Sequence, residues 1–101
     1  MTLDREIREL KLAELKKLIE ELTYKTTSKL LLMYMKAEDD TTRSLIDSVF
    51  LLCSQLIQNY YNPRSVIILM KYLINDLRRL GVTVDHETVK KIVEIADELI
   101  S

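Results

Sequence analysis

The sequence predicts an all-α fold, an antiparallel up-down bundle of four to five helices forming one domain over 1–101. Three observations carry this. The 101 residues include one Gly and one Pro, which leaves almost no material for tight hairpin turns. Hydrophobic residues make up 48% and charged residues 31%, and the Leu, Ile, Lys and Glu content favours helix at nearly every position. Apolar residues also recur at helical spacing between short connections, which makes consecutive helices antiparallel neighbours.

The first helix is expected over 3–23. Leu3, Ile7, Leu10, Leu15, Leu18, Ile19 and Leu22 form one apolar stripe, while Arg5/Glu9 and Glu21/Lys25 sit four apart on the other side. The segment Thr23-Tyr24-Lys25-Thr26-Thr27-Ser28 clusters β-branched and hydroxyl residues, which bond locally to the backbone and suit a cap better than a helix interior. A turn is placed here, with one continuous helix over 3–37 as the alternative, because no Gly or Pro enforces the break. The second helix, 27–37, holds the run Leu30 to Met35, apolar on all sides between Lys29 and Lys36. It is expected to be largely buried.

Glu38-Asp39-Asp40 before Thr41 and Thr42 supplies N-cap candidates and negative charge at a helix start. A third helix therefore runs over 41–60. Leu45, Ile46, Val49, Phe50, Leu52, Cys53, Leu56, Ile57, Tyr60 and Tyr61 cover about half of its wheel, predicting the most buried long helix. Asn62 is a favoured N-cap, Pro63 takes the first helical position, and Tyr61 is placed to staple onto Val66. The fourth helix, 63–80, closes at Gly81, the residue suited to a left-handed C′ conformation. Asp85 caps a fifth helix over 85–100, with Val84 positioned to staple onto Val89 and Glu87 in the first turn. Its core side is Val89, Ile92, Val93, Ala96, Leu99 and Ile100.

Fifteen Lys and Arg against sixteen Asp and Glu give a net charge of -1, without the basic field of a nucleic-acid binder. The longest apolar runs fall far short of the roughly 20 residues that span a bilayer. The opening Met1-Thr2-Leu3-Asp4-Arg5-Glu6 lacks the basic start and apolar stretch of a signal peptide. A cytoplasmic location is expected, with attachment to a membrane surface only through a partner. One His, one Cys and one Gly supply neither a phosphate loop, a Cys/His metal cluster nor a His-based triad. No enzyme activity, metal or cofactor is expected. Cys53 lies on a predicted buried face, and His86 beside the capping Asp85 belongs to the surface.

The fourth helix is more informative. Its apolar arc is Val66, Ile67, Leu69, Met70, Leu73, Ile74, Leu77 and Leu80, yet Ile68 and Tyr72 fall on the opposite arc among Arg64, Lys71, Asn75, Arg78 and Arg79. Either the first or second helix covers them, or they form a partner-binding patch ringed by basic groups, a composition common at interfaces. Residues 62–81 carry four basic groups against one acid, net +3, and 82–101 carry two against five, net -3. Mutual attraction of the two helices is the simpler expectation, although exposed pairs contribute only about 0.2–1 kcal/mol each.

Beyond Glu38 the order of signals has a parallel. A helix ends in Leu56-Ile57-Gln58-Asn59-Tyr60-Tyr61; Asn62-Pro63 opens another with Val66-Ile67, Met70, Leu73-Ile74 and Leu77; and Leu80-Gly81 and Val82-Thr83-Val84 lead into a last amphipathic helix. Over roughly 60 residues this resembles the immunity proteins that lactic-acid bacteria and streptococci make against pediocin-like (class IIa, enterocin A type) bacteriocins. The resemblance implies a small cytoplasmic helical bundle that protects the producing cell without catalysis. Its partner would be the membrane permease of the mannose phosphotransferase system with bacteriocin bound, met from the inner face of the membrane. Recognition would lie in the last two helices, which places Arg64, Ile68, Lys71, Tyr72, Asn75, Arg78 and Arg79 as candidate contacts. The rival function is a helical adaptor or oligomeric interaction domain, in which the mixed-charge first helix pairs with its own copy as a homodimer. A helix-turn-helix around Gly81 to Lys91 is disfavoured by the -3 charge of the last segment.

Overall fold

The computed structural model describes residues 4–101 as four helices, α1 (Arg5–Lys36), α2 (Asp40–Gln58), α3 (Pro63–Arg79) and α4 (His86–Ile100). Each N-terminus is capped by the side chain that precedes it: Asp4, Asp39, Asn62 and Asp85 accept from the backbone N–H of Glu6, Thr42, Ser65 and Thr88. Leu3, expected in the first stripe, lies outside the described residues.

Residues 5–36 form one helix, so the turn expected at Thr23–Ser28 is corrected. Its hydroxyls turn back onto the helix instead of capping a new one. Thr23 Oγ1 donates to the Glu20 carbonyl at 3.1 Å, and Thr27 Oγ1 to the Thr23 carbonyl at 2.8 Å. Thr23 and Thr26 are buried, and Thr26 lines a small cavity with Leu22 and the connecting residues Val82–Asp85. Packing on that connection outweighs the weak local preference of threonine for non-helical backbone.

The helices pack around one ring. α1 packs beside α2 and α4, and α3 beside α2 and α4, whereas α1 and α3 sit diagonally across the bundle, their backbones apart and their core side chains in one cluster. Arg8 donates to the Leu99 carbonyl at 3.0 Å and Lys25 approaches Asp85 at 3.8 Å, so α4 runs antiparallel to α1 and occupies its N-terminal two thirds. α2 packs back along the other end, where Arg43 donates to the Ala37 carbonyl at 2.6 Å and Lys16 lies 5.4 Å from the Tyr60 ring centre.

Four buried apolar residues from each helix meet inside, including Leu15 and Ile19, Ile46 and Val49, Val66 and Met70, and Ile92 and Ala96. The predicted arcs of α3 and α4 hold, with Ile95 added to the α4 core. Cys53 is buried, and burial pushes its thiol up to about 11. On α1 the core stripe is narrower than expected, since Ile7 and Leu10 are exposed. Ile57 on α2 and Tyr61 in the turn after it are exposed, and Tyr61 meets the Tyr60 ring edge-on at 5.9 Å.

The run Leu30–Met35 also departs from expectation. Only Leu30 is buried, while Leu31, Leu32 and Met35 are exposed. Leu31 and Met35 continue the outward line of Glu21, Tyr24 and Ser28, which is exposed even where α4 lies alongside, while Leu32 turns toward the side that α4, with 15 residues against the 32 of α1, leaves open. Because α4 starts beside Lys25, the last turns of α1 run past it with α2 as their one neighbour.

Candidate partner-binding face

α3 begins where Asn62 and Pro63 start it. The Asn62 side chain accepts from Ser65 N–H at 3.3 Å, and the proline ring occupies a position that needs no N–H donor. From that start, Val66, Met70, Leu73 and Leu77 fall on the inner face. The arc opposite must face away from the core, and because α1 lies across the diagonal, no helix among the described residues covers it.

All seven sequence-predicted residues lie on this outward arc and are exposed. Ile68 is 53% and Tyr72 is 60% exposed. The alternative in which an earlier helix covers Ile68 and Tyr72 is thereby overturned. Arg64, Lys71 and Arg78, seven apart, form a nearly straight basic row beside the apolar pair. Asn75 stands four residues after Lys71 on the same arc.

The expected attraction between α3 and α4 is not what their charges do. No ion pair joins the two helices among the described residues; α4-side acids go to α1, through Lys11 with Glu98 and Lys25 with Asp85. Arg79 is held by Asp76 of its own helix at 3.8 Å and reaches toward the first turns of α2, where it lines a shallow hollow with Asp40, Thr41 and Ser44. Arg64, Lys71 and Arg78 enter no ion pair among the described residues. The structure therefore groups six of the seven into one strip and turns the seventh to its edge.

Two contributors, one in α2 and one at its C-cap, were not among the sequence-predicted residues. Gln55 and Asn59 join Ser65, Ile68 and Leu69 around an open groove of about 250 Å³ between α2 and α3. Asn59 is fixed there by donating its side-chain N–H to the Gln55 carbonyl at 2.8 Å. The available signal was their spacing of four beside the core residue Leu56. The strip thus offers an aromatic and an aliphatic anchor, amide groups on one side and fixed positive charge on the other. Such a surface can bind a partner with apolar side chains and acidic groups. Among the described residues, no cluster of three or more His, Cys, Asp or Glu is arranged to hold a metal ion, and no helix is long and apolar enough to cross a membrane.

Compared with known proteins, the chain matches no family model, no curated protein and no solved structure.

Proposed function

We propose that this chain is a bacteriocin immunity protein that acts by binding, with the outward strip of α3 as its contact surface. The observation that carries the binding surface is the uncovered pair Ile68 and Tyr72 beside three basic groups that have no ion-pair partner among the described residues. A large aromatic held on a rigid helix loses little side-chain freedom on docking, and such anchors supply most of the binding energy while rim charges set the encounter rate. The choice of partner rests on the resemblance of residues 38–101 to pediocin-like immunity proteins. In that role the bundle works in the cytoplasm against the inner face of a mannose-type permease that has bacteriocin bound, and it changes no covalent bond.

Expression in cells sensitive to pediocin-like bacteriocins tests this. Resistance to a narrow subset of the peptides is expected, with the mass of each peptide unchanged. Tyr72→Ala should remove that resistance while stability moves within about 0.5 kcal/mol, the range of an exposed substitution. Lys71→Glu should weaken it more at low salt than at high salt. Absence of protection across a panel covering the peptide subgroups would turn the reading to a helical adaptor. Cleaved or modified peptide would overturn the non-catalytic reading, and a large loss of stability in Tyr72→Ala would remove the strip.

A further inference from the structure

The outward strip of α3 is one bank of a longer valley, whose other bank is α2. The valley opens into a hollow at each end. One is the groove of about 250 Å³ where Gln55 and Asn59 meet Ser65 and Ile68; the other, of about 410 Å³, lies between Ser44, Ser48 and Arg79. These linings show that α2 and α3 run antiparallel and fix their register. Gln55 stands opposite Ile68 and Ser44 opposite Arg79, which brings Leu51 opposite Tyr72 between the two hollows. Leu51 is 60% exposed. We infer that this valley receives one amphipathic α-helix of a partner protein, its apolar ridge seated on Leu51, Ile68 and Tyr72 and its carboxylates along the flank that overlies α3. The inference rests on the reading of the α3 strip as a contact surface and names the partner's chemistry.

Shape selects a helix. α3 has 17 residues, so the valley runs for about 25 Å, nearly five helical turns. Both banks are helices whose backbone N–H and C=O groups are bonded within themselves, so an extended peptide finds no sheet edge to join. Ile68 and Tyr72 are four apart on one bank, with Leu51 across from the second. A ridge of apolar side chains three and four residues apart fits between such knobs.

Charge selects the flank. Arg64, Lys71 and Arg78 lie on the shoulder of α3 away from α2 and enter no ion pair among the described residues. Their long stems let the charged ends reach over the crest to a helix seated beside it. Across the valley, Ser44, Ser48 and Gln55 carry no charge, and Asp47 lies beyond them. Carboxylates over α3 therefore match the banks, whereas lysines there would be repelled. A second copy of this chain does not supply such a helix. Its largest group of exposed apolar side chains, Leu31, Leu32 and Met35 of α1, has no carboxylate from Tyr24 to Lys36, and the acids of α4 stand on a helix whose apolar face is buried.

Synthetic peptides of about 18 residues, long enough to fill the valley, test this on the whole purified chain. Three share one leucine ridge: one has glutamates along a flank, one has lysines there, and one has the glutamates but a central proline that breaks the helix. The glutamate peptide should bind about tenfold or more tightly than either of the others. It should shift the amide resonances of Ser48, Leu51 and Gln55 together with those of Ile68 and Tyr72. Leu51→Ala should weaken it about fivefold or more, and Lys71→Glu should reduce its advantage over the lysine peptide. Absence of binding by all three would overturn the inference. Equal binding of the glutamate and lysine peptides would overturn the charge assignment, equal binding of the proline-broken peptide would overturn the helix, and shifts confined to α3 would overturn the valley. Self-association of the chain that is lost on Leu51→Glu would assign the valley to a second copy instead. Protection assays separate this inference from the immunity reading. Protection lost on Tyr72→Ala but kept on Leu51→Ala would overturn the valley and leave immunity standing; glutamate peptide bound by a chain that protects no cell would uphold the valley and overturn immunity.

Discussion

Asp85 organises the start of α4 through two bonds to one residue. Its carboxylate accepts from Thr88 Oγ1 at 2.8 Å and from Thr88 N–H at 3.2 Å. The Thr88 side-chain bond, then its backbone bond, hold the Asp85 carboxyl below the ordinary value of 3.8, and Lys25 adds to this. With the folded pKa depressed, the cap contributes fully above the ordinary carboxylate value and is lost as pH falls through the lower folded one. The Thr88 amide resonance should therefore shift, and its exchange protection fall, only below pH 3.8. Asp85→Asn should keep the cap and abolish that dependence, since a neutral amide accepts the same bonds. A transition of the Thr88 amide centred at or above the ordinary value would show that the carboxylate is not the cap. Asp39 is lowered in the same way by Thr42. Both caps were legible in the sequence, because a carboxylate before a helix acts on residues two or three positions away.

Helix ends were legible for the same reason. Gly81 sits at φ 71°, Val82 N–H donates to the Leu77 carbonyl at 2.9 Å, and Gly81 N–H to the Arg78 carbonyl at 3.0 Å. This pair of bonds closes α3 only when the residue after the cap is left-handed. A Cβ at Gly81 would meet nothing within 4 Å, so the whole cost of Gly81→Ala lies in its backbone. That cost should be about 1–2 kcal/mol, lowering the melting temperature by roughly 4–8 °C per kcal/mol. Gly81→Asn should lose less, because asparagine visits the left-handed region more readily. Equal melting temperatures for Gly81→Ala and the parent chain would show that α3 does not end on this motif. The Thr23–Ser28 stretch was not legible, because its hydroxyls can cap a new helix or bond back to the carbonyl four residues earlier. What decides is the Val82–Asp85 connection, over fifty residues away in sequence, packing against Thr26.

At the scale of the molecule, burial depends on which helices lie alongside each segment, and that follows from their relative lengths. The apolar content of Leu30–Met35 pointed to a core helix, and the strip on α3 was open to a covering helix; both questions turn on α1. A single 32-residue helix occupies one corner of the ring, so it neither reaches α3 nor remains flanked by the shorter α4. Ile68 and Tyr72 are exposed because α1 does not reach them, and Leu31 and Met35 because they share the outward line of Tyr24 and Ser28. The corner position also sets a gradient of stability along α1. From Leu15 to Thr26 the helix has buried residues facing both neighbours, whereas Leu31–Lys36 has α2 alone and exposes most of its apolar side chains. Segments with few buried contacts open locally at far less than the global unfolding free energy. Hydrogen exchange should show the amides of Leu31–Lys36 exchanging through local fraying and insensitive to low denaturant. Those of Leu15–Thr26 should open only with the whole bundle. Equal protection of the two segments would mean that α1 is held along its full length, contradicting the corner arrangement that leaves its last turns with α2 alone.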